Sequence, residues 1–249
     1  MKQTPLLIAV GLLFLILFLV IKLPASVAYY FAKDHLTGLQ MTNLAGTVWD
    51  GRASRAVYHG QAFSNVQWQL SASALLIGKT ALTISSNDPR YPLDGDVSRS
   101  GEGDLSIHKL TGTMPASLIN TIPALAWMKI SGDVILNIDS IEMVDHQLKR
   151  ANGKILIEQG QLIQPVKTLL GTIAVDMTTE GEQIKILLKD QQAPIGIDGQ
   201  LLLTPPRQMQ FNGKFIPTTR ADNFLVSLLK NTGQLQSDGK IVINYQGKY

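Results

Sequence analysis

The chain has 249 residues, of which 45% are hydrophobic and 16% charged; its formal net charge is +3 and it contains no cysteine. That apolar content excludes a disordered chain, and cations scattered without interleaved aromatics exclude a nucleic-acid-binding stripe. Without thiols there is no disulfide, no cysteine nucleophile and no thiolate metal site.

The first element is an apolar run, Leu6 to Ile21, with Lys2 before it and Lys22 directly after. A helix from Thr4 to Ile21 is about 27 Å long, close to the roughly 30 Å of a bilayer's hydrocarbon core. Residues 5–22 are therefore expected to be a transmembrane helix, with residues 1–4 cytoplasmic. A competing reading is a cleaved signal peptide, because Ser26-Val27-Ala28 has the small-x-small pattern of a cleavage site. The run is longer than an ordinary signal core, and Lys22 and Pro24 separate it from the site, so an uncleaved anchor is the expectation. Flanking positive charge is nearly balanced. Orientation rests instead on one N-terminal span followed by a large domain, which places residues 23–249 outside the cytoplasm as one β-rich domain.

A short helix is expected from Ala25 to Leu36, stopped by Thr37-Gly38. Beyond it the hydrophobic period becomes two. In Asn65-Val-Gln-Trp-Gln-Leu70, Val66, Trp68 and Leu70 face one way and the polar residues the other. The alternation returns in Leu82 and Ile84, Leu105 and Ile107, and Val134 to Ile138. It continues through Ile155 and Ile157, Ile173 to Met177, Ile184 to Leu188, Ile195 to Leu203, Met209 to Phe215, and Ile241 to Tyr245. Strands with one dry and one wet face belong to an antiparallel sheet. Glycines open strand after strand, as at Gly132, Gly153, Gly171, Gly199, Gly213 and Gly239, which fits a meander of hairpins. Three further helices are expected: Ser71 to Ile77, Met114 to Met128 with a break at Pro123, and Ala221 to Leu229, capped by Thr219 with Asp222 completing the pair. Each is expected to pack on the sheet. The fold class is mainly β, an antiparallel sheet curved into a trough or half-barrel with two or three short helices.

Chemistry is absent from the pattern. Gly78-Lys79-Thr80 has Ser73 where a phosphate-binding loop needs glycine, and a strand follows it. His35, His59, His108 and His146 are not at metal-ligand spacing, and Glu142, Asp145 and His146 read as a solvated loop near Asp139. No nucleophile elbow or zinc-protease pair occurs. The chain is expected to be no enzyme, with no catalytic, cofactor-binding or metal-binding residues and no cofactor. Trp49, in the corner Gly46-Thr-Val-Trp-Asp-Gly51, and Tyr245 are the candidate partner contacts. Trp68, Val175 and Ile186 are the candidate lining of an apolar groove.

The corner Gly46-Thr47-Val48-Trp49-Asp50-Gly51, the pattern Trp68-x-Leu70 with Leu75-Leu76-x-Gly78, and Leu23-Pro24-Ala25 after the apolar run together resemble the type II secretion system protein N family. The block from Asp198-Gly199 through Asp222, Leu225, Leu228, Leu229, Gly233 and Asp238-Gly239 is similar to that family's C-terminal half. The resemblance implies a single-pass inner-membrane protein of a Gram-negative bacterium with a periplasmic domain. Its implied role is an accessory structural component in export of folded proteins across the outer membrane, with the inner-membrane platform and the outer-membrane secretin as partner classes. A looser likeness to AsmA-like proteins, whose sheets form troughs, implies the alternative of a lipid-handling module with phospholipid as its ligand.

Overall fold

The computed structural model describes residues 4–101, 103–121, 129–164, 167–191 and 193–248, with side chains from Val10 onward. Helix α1, Thr4–Ile21, coincides with the apolar run, and α2, Ala25–Ala32, follows after Leu23-Pro24. Among the described residues no helix is long and apolar enough to cross a membrane, the described side chains of α1 beginning only at Val10.

Every strand that follows joins one 14-stranded antiparallel sheet. In chain order these are β1 Leu39–Gly46, β2 Asp50–Tyr58, β3 Gln61–Leu70, β4 Lys79–Ser86, β5 Leu93–Ser100, β6 Leu105–Pro115 and β7 Lys129–Val144. They continue as β8 Gln147–Gln164, β9 Thr168–Glu180, β10 Gln183–Asp190, β11 Ile195–Thr204, β12 Gln208–Pro217, β13 Gln234–Leu235 and β14 Ile241–Lys248. Spatial order follows chain order as far as β12, after which β14 pairs with β12 and the short β13 lies outside it. This is the meander that the hairpin glycines foretold.

The register explains why the alternation matters. One cross-strand row passes from Val66 through Ser86, Leu93, Gly112, Leu136, Ile155, Val175, Leu188, Gly199 and Gly213 to Ile243. Directly opposed residues share a face, so a single dry face crosses the sheet from β3 to β14. Bulges keep it in phase where the sequence slips. Lys109 has a positive φ of 51°, and the residue that β6 gains there relative to β5 lets Ile107 and Leu110 both face inward, opposite Ile141 and Ile138. The β7–β8 hairpin turns at Asp145 and His146, with φ of 50° and 61°, the left-handed pair that a two-residue hairpin requires. The acidic and histidine cluster is thus a hairpin tip, steadied by Asp145 N–H donating to Asp104 Oδ1 and His146 N–H to the Gly103 carbonyl.

Burial is deepest in the middle of that face. Val134 and Ala116 are fully buried, with Leu136 and Ile138 beside them and Leu110, Ile155 and Ile157 packed around. A second cluster joins Ala151, Ile184 and Leu203 to Ile186 and Met209.

The helices depart from expectation in detail. Of the helix expected over Met114 to Met128, Met114 and Pro115 end β6, Ala116–Thr121 form a 3-10 helix, and 122–128 lie outside the described residues. α3, Ala72–Leu76, is a single turn capped by the Ser71 hydroxyl, which accepts from Ala74 N–H. α4, Asn223–Thr232, starts later than expected, because Asp222 rather than Thr219 is the cap: its Oδ1 accepts from Phe224 and Leu225 N–H.

Candidate functional site

Three features of the sheet bear on function: its first edge, its last edge, and a cavity between β1 and β5. At the first edge, the hydroxyl of Tyr29 on α2 donates to the Leu39 carbonyl at 3.3 Å and accepts from Met41 N–H at 3.1 Å. Those are backbone groups of β1, so one phenol does there what a neighbouring strand would do. Farther along, Val48 N–H donates to the Leu23 carbonyl, and Pro24 bridges to Thr47. The segment leaving α1 therefore covers much of the first edge, which would otherwise be open to a foreign strand.

The same corner fastens the sheet to α1. Trp49 Nε1–H donates to the Val20 carbonyl at 2.9 Å, and Trp68 Nε1–H to the Val48 carbonyl at 3.1 Å. Trp68 lies so close over Gly51 that a Cβ there would stand 2.3 Å from the indole ring, which is why the position has no side chain. Trp49, singled out as a partner contact, is half-buried and tied to the helix end.

At the other edge, β13 pairs with only Ile241 and Val242 of β14, and among the described residues no strand pairs with the outer side of β14 beyond them. Tyr245 is 53% exposed there, opposite Phe211, and Phe224, Leu228 and Leu235 are exposed nearby in the sequence. The last edge thus offers backbone groups and apolar surface together.

Two hollows lie in this part of the sheet: one of about 550 Å³ on the wet face, where Gln69, Thr83, Asp96 and His108 form a cross-strand row beside Trp49, and an apolar one of about 500 Å³ on the dry face. The apolar one is walled by Leu39, Met41, Trp68, Leu82, Ile84 and Leu118, the last contributed by the 3-10 helix that reaches over β1–β5. Gln61 Nε2–H donates to Ser117 Oγ at 3.1 Å and holds that helix to the β2–β3 hairpin. Of the expected groove residues, Trp68 lines this cavity. Val175 and Ile186 share its face on β9 and β10, far along the sheet, with Ile186 packed against the cluster of Ala151, Ile184 and Leu203. The structure puts the three on one face and not in one pocket.

The loop between β4 and β5 is organised by Asp88. Burial raises its carboxyl, but hydrogen bonds from the N–H groups of Tyr91, Arg90 and Ser64 outweigh that and hold it below its ordinary value. Tyr91 in turn is pushed up, first by burial and then by Asp133, to whose Oδ1 its hydroxyl donates. These pairs fix the loop to β3 and β7. Among the described residues no group of three or more His, Cys, Asp and Glu is placed to hold a metal ion.

Sequence reasoning missed Tyr29 and the exposed tip of α3. Tyr29 reads as one aromatic among three; its meeting with β1 depends on how Pro24 turns the chain. For α3 a signal existed: Leu76 and Ile77 are adjacent, and a single helical turn cannot press both onto one sheet.

The model of the family described as type II secretion system (T2SS), protein N, matches residues 37–244. A protein of Vibrio cholerae serotype O1 named type II secretion system protein N is 25% identical over 96% of this chain and 97% of its own length. Proteins of the same name from Aeromonas hydrophila and Klebsiella pneumoniae are 24% and 23% identical, covering 100% and 97% of this chain and 100% and 96% of their own lengths. No solved structure matches.

Proposed function

The chain belongs to the type II secretion system protein N family, a structural component of that machinery and not an enzyme, and on that premise we propose that it works as a membrane-held docking module. In this reading α1 spans the inner membrane once and residues 23–249 form a periplasmic domain whose sheet curls into a trough. The 18 residues of α1 have the length for a span at about 1.5 Å per residue, and fully buried side chains on one face of a lone sheet support the curling. The observation that carries the docking role is the difference between the edges. β1 is covered by its own chain through Tyr29, whereas β14 presents an uncovered stretch beside Tyr245. Strand addition at such an edge gives affinity through backbone hydrogen bonds, and exposed apolar side chains give selectivity. A photocrosslinker at Tyr245 in secreting cells tests it: adducts identified as platform or secretin proteins support the role, and adducts from β1 but none from β14 refute it.

A second reading is favoured by the apolar cavity between β1 and β5, whose size is within the range of small-ligand sites. In it, one acyl chain of a phospholipid lies against Trp68 and Ile84. Native mass spectrometry of the detergent-purified chain should then show a bound phospholipid that Ile84→Asp removes; no lipid, or lipid retained by that variant, ends this reading.

A further inference from the structure

The most exposed large aliphatic side chains outside α1 are not on the sheet. Leu76 is 89% exposed and Ile77 71%, with Leu75 at 40%, all at the tip of α3. No described element covers Leu76. The location of this tip is fixed by a short chain of hydrogen bonds: Val20 of α1 accepts from the Trp49 indole, the Trp49 carbonyl accepts from Leu70 N–H at 2.7 Å, and α3 begins two residues later. Leu70 to Leu76 spans at most about 15 Å, given an extended step and one helical turn. The apolar tip therefore lies within about 25 Å of the end of α1.

Its chemistry suits the boundary of a bilayer. Ser71 caps the turn, Gly78 reverses the chain with a φ of 73°, and the exposed Lys79 follows, as the exposed Lys22 follows α1. Two cations behind two apolar ends match a layer of lipid phosphates over hydrocarbon. We propose that Leu75-Leu76-Ile77 dips into the membrane beside α1 and gives the domain a second point of attachment. The proposal rests on the reading of α1 as the anchor. With α1 alone in the bilayer the helix and the sheet fastened to it can tilt together; with two points of attachment the domain is held at one tilt, and the β14 edge is presented in a constant direction.

The absence of cysteine makes the test direct. Single-cysteine variants Leu76→Cys, Ile77→Cys, Leu13→Cys and Leu169→Cys carry a nitroxide in the full chain, reconstituted in vesicles of phosphatidylethanolamine and phosphatidylglycerol. Leu169, 59% exposed on β9, serves as the water-facing comparison. Leu76 and Ile77 are exposed, so replacement leaves packing intact. The expected result is that labels at Leu76 and Ile77 collide with lipid-dissolved oxygen more than with a water-soluble nickel chelate, as at Leu13, whereas Leu169 shows the reverse. Labels at Leu76 and Ile77 that behave as Leu169 does overturn the proposal. If Leu13 still reads hydrocarbon in that case, the anchor stands without the tip; if Leu13 reads water, the anchor falls with it.

Discussion

The indole of Trp49 donates to the backbone carbonyl of Val20 at 2.9 Å, across 29 residues of chain. Val20 is near the last turn of α1, where helix carbonyls lack partners within the helix. A tryptophan from the β1–β2 corner thus completes the end of the apolar helix, and helix and sheet meet at a defined point.

Replacing Trp49 by Phe keeps an aromatic ring and removes the donor. The loss of about 1 kcal/mol expected for one hydrogen bond corresponds to roughly fivefold faster local opening. Exchange of the Val48 amide, which donates to the Leu23 carbonyl, should speed up by that factor while amides in β7 and β8 remain as slow as before. Unchanged exchange at Val48 would mean that the indole contributes nothing to the joint.

Gly51→Ala should destabilise the sheet. The new methyl would stand 2.3 Å from the Trp68 ring and 2.7 Å from the Thr47 carbonyl, and overpacking of this kind costs about 1–3 kcal/mol. Urea unfolding followed by tryptophan emission should show a lower midpoint with an altered starting spectrum, because Trp68 is the residue displaced.

Tyr29→Phe should uncover β1. Met41 N–H loses its acceptor and the Leu39 carbonyl its donor, at a cost of about 1–2 kcal/mol, and an edge freed in this way recruits other strands. Sedimentation in detergent should reveal concentration-dependent association that the parent chain lacks.

Acid should loosen the β4–β5 loop through Asp88. Its folded carboxyl titrates below the ordinary value of 3.8, so it stabilises the fold fully above that value and loses the contribution as pH falls through the folded one. Asp88→Asn should be less stable than the parent at pH 7 and should lose less stability between pH 5 and pH 2. The difference is small, since the group is only partly buried and solvent screens it. Thermal melts of both chains across that range give the comparison.

The strands with strong alternation, β3, β4, β6 through β12 and β14, were legible because large apolar residues alternate with polar ones there. β2 and β5 were not. On β2 the inward positions are Gly51, Ala53 and Ala56, small because Trp68 fills the space above Gly51. On β5 Gly95 lies under Leu110 in the same way, with 2.8 Å between a Cβ there and Leu110 Cδ1. A strand that supplies the floor beneath a neighbour's large side chain carries little hydropathy signal of its own. The candidate site was legible as a face and not as a place: Trp68, Val175 and Ile186 share a side because the period is two, but their separation along the sheet follows from strand order. Tyr29 covering β1 was beyond reach, because it depends on α2 turning back along the strand.

Docking through the last edge should be visible in co-purification from membranes of secreting cells. The parent chain, solubilised in mild detergent, should carry secretion-system components identified by mass spectrometry, and the double variant Phe224→Asp, Leu228→Asp should lose most of them while keeping its thermal midpoint, since both side chains are exposed. Equal recovery of the same components by the folded double variant and by a Tyr245→Asp chain would mean that the last edge is not where they dock.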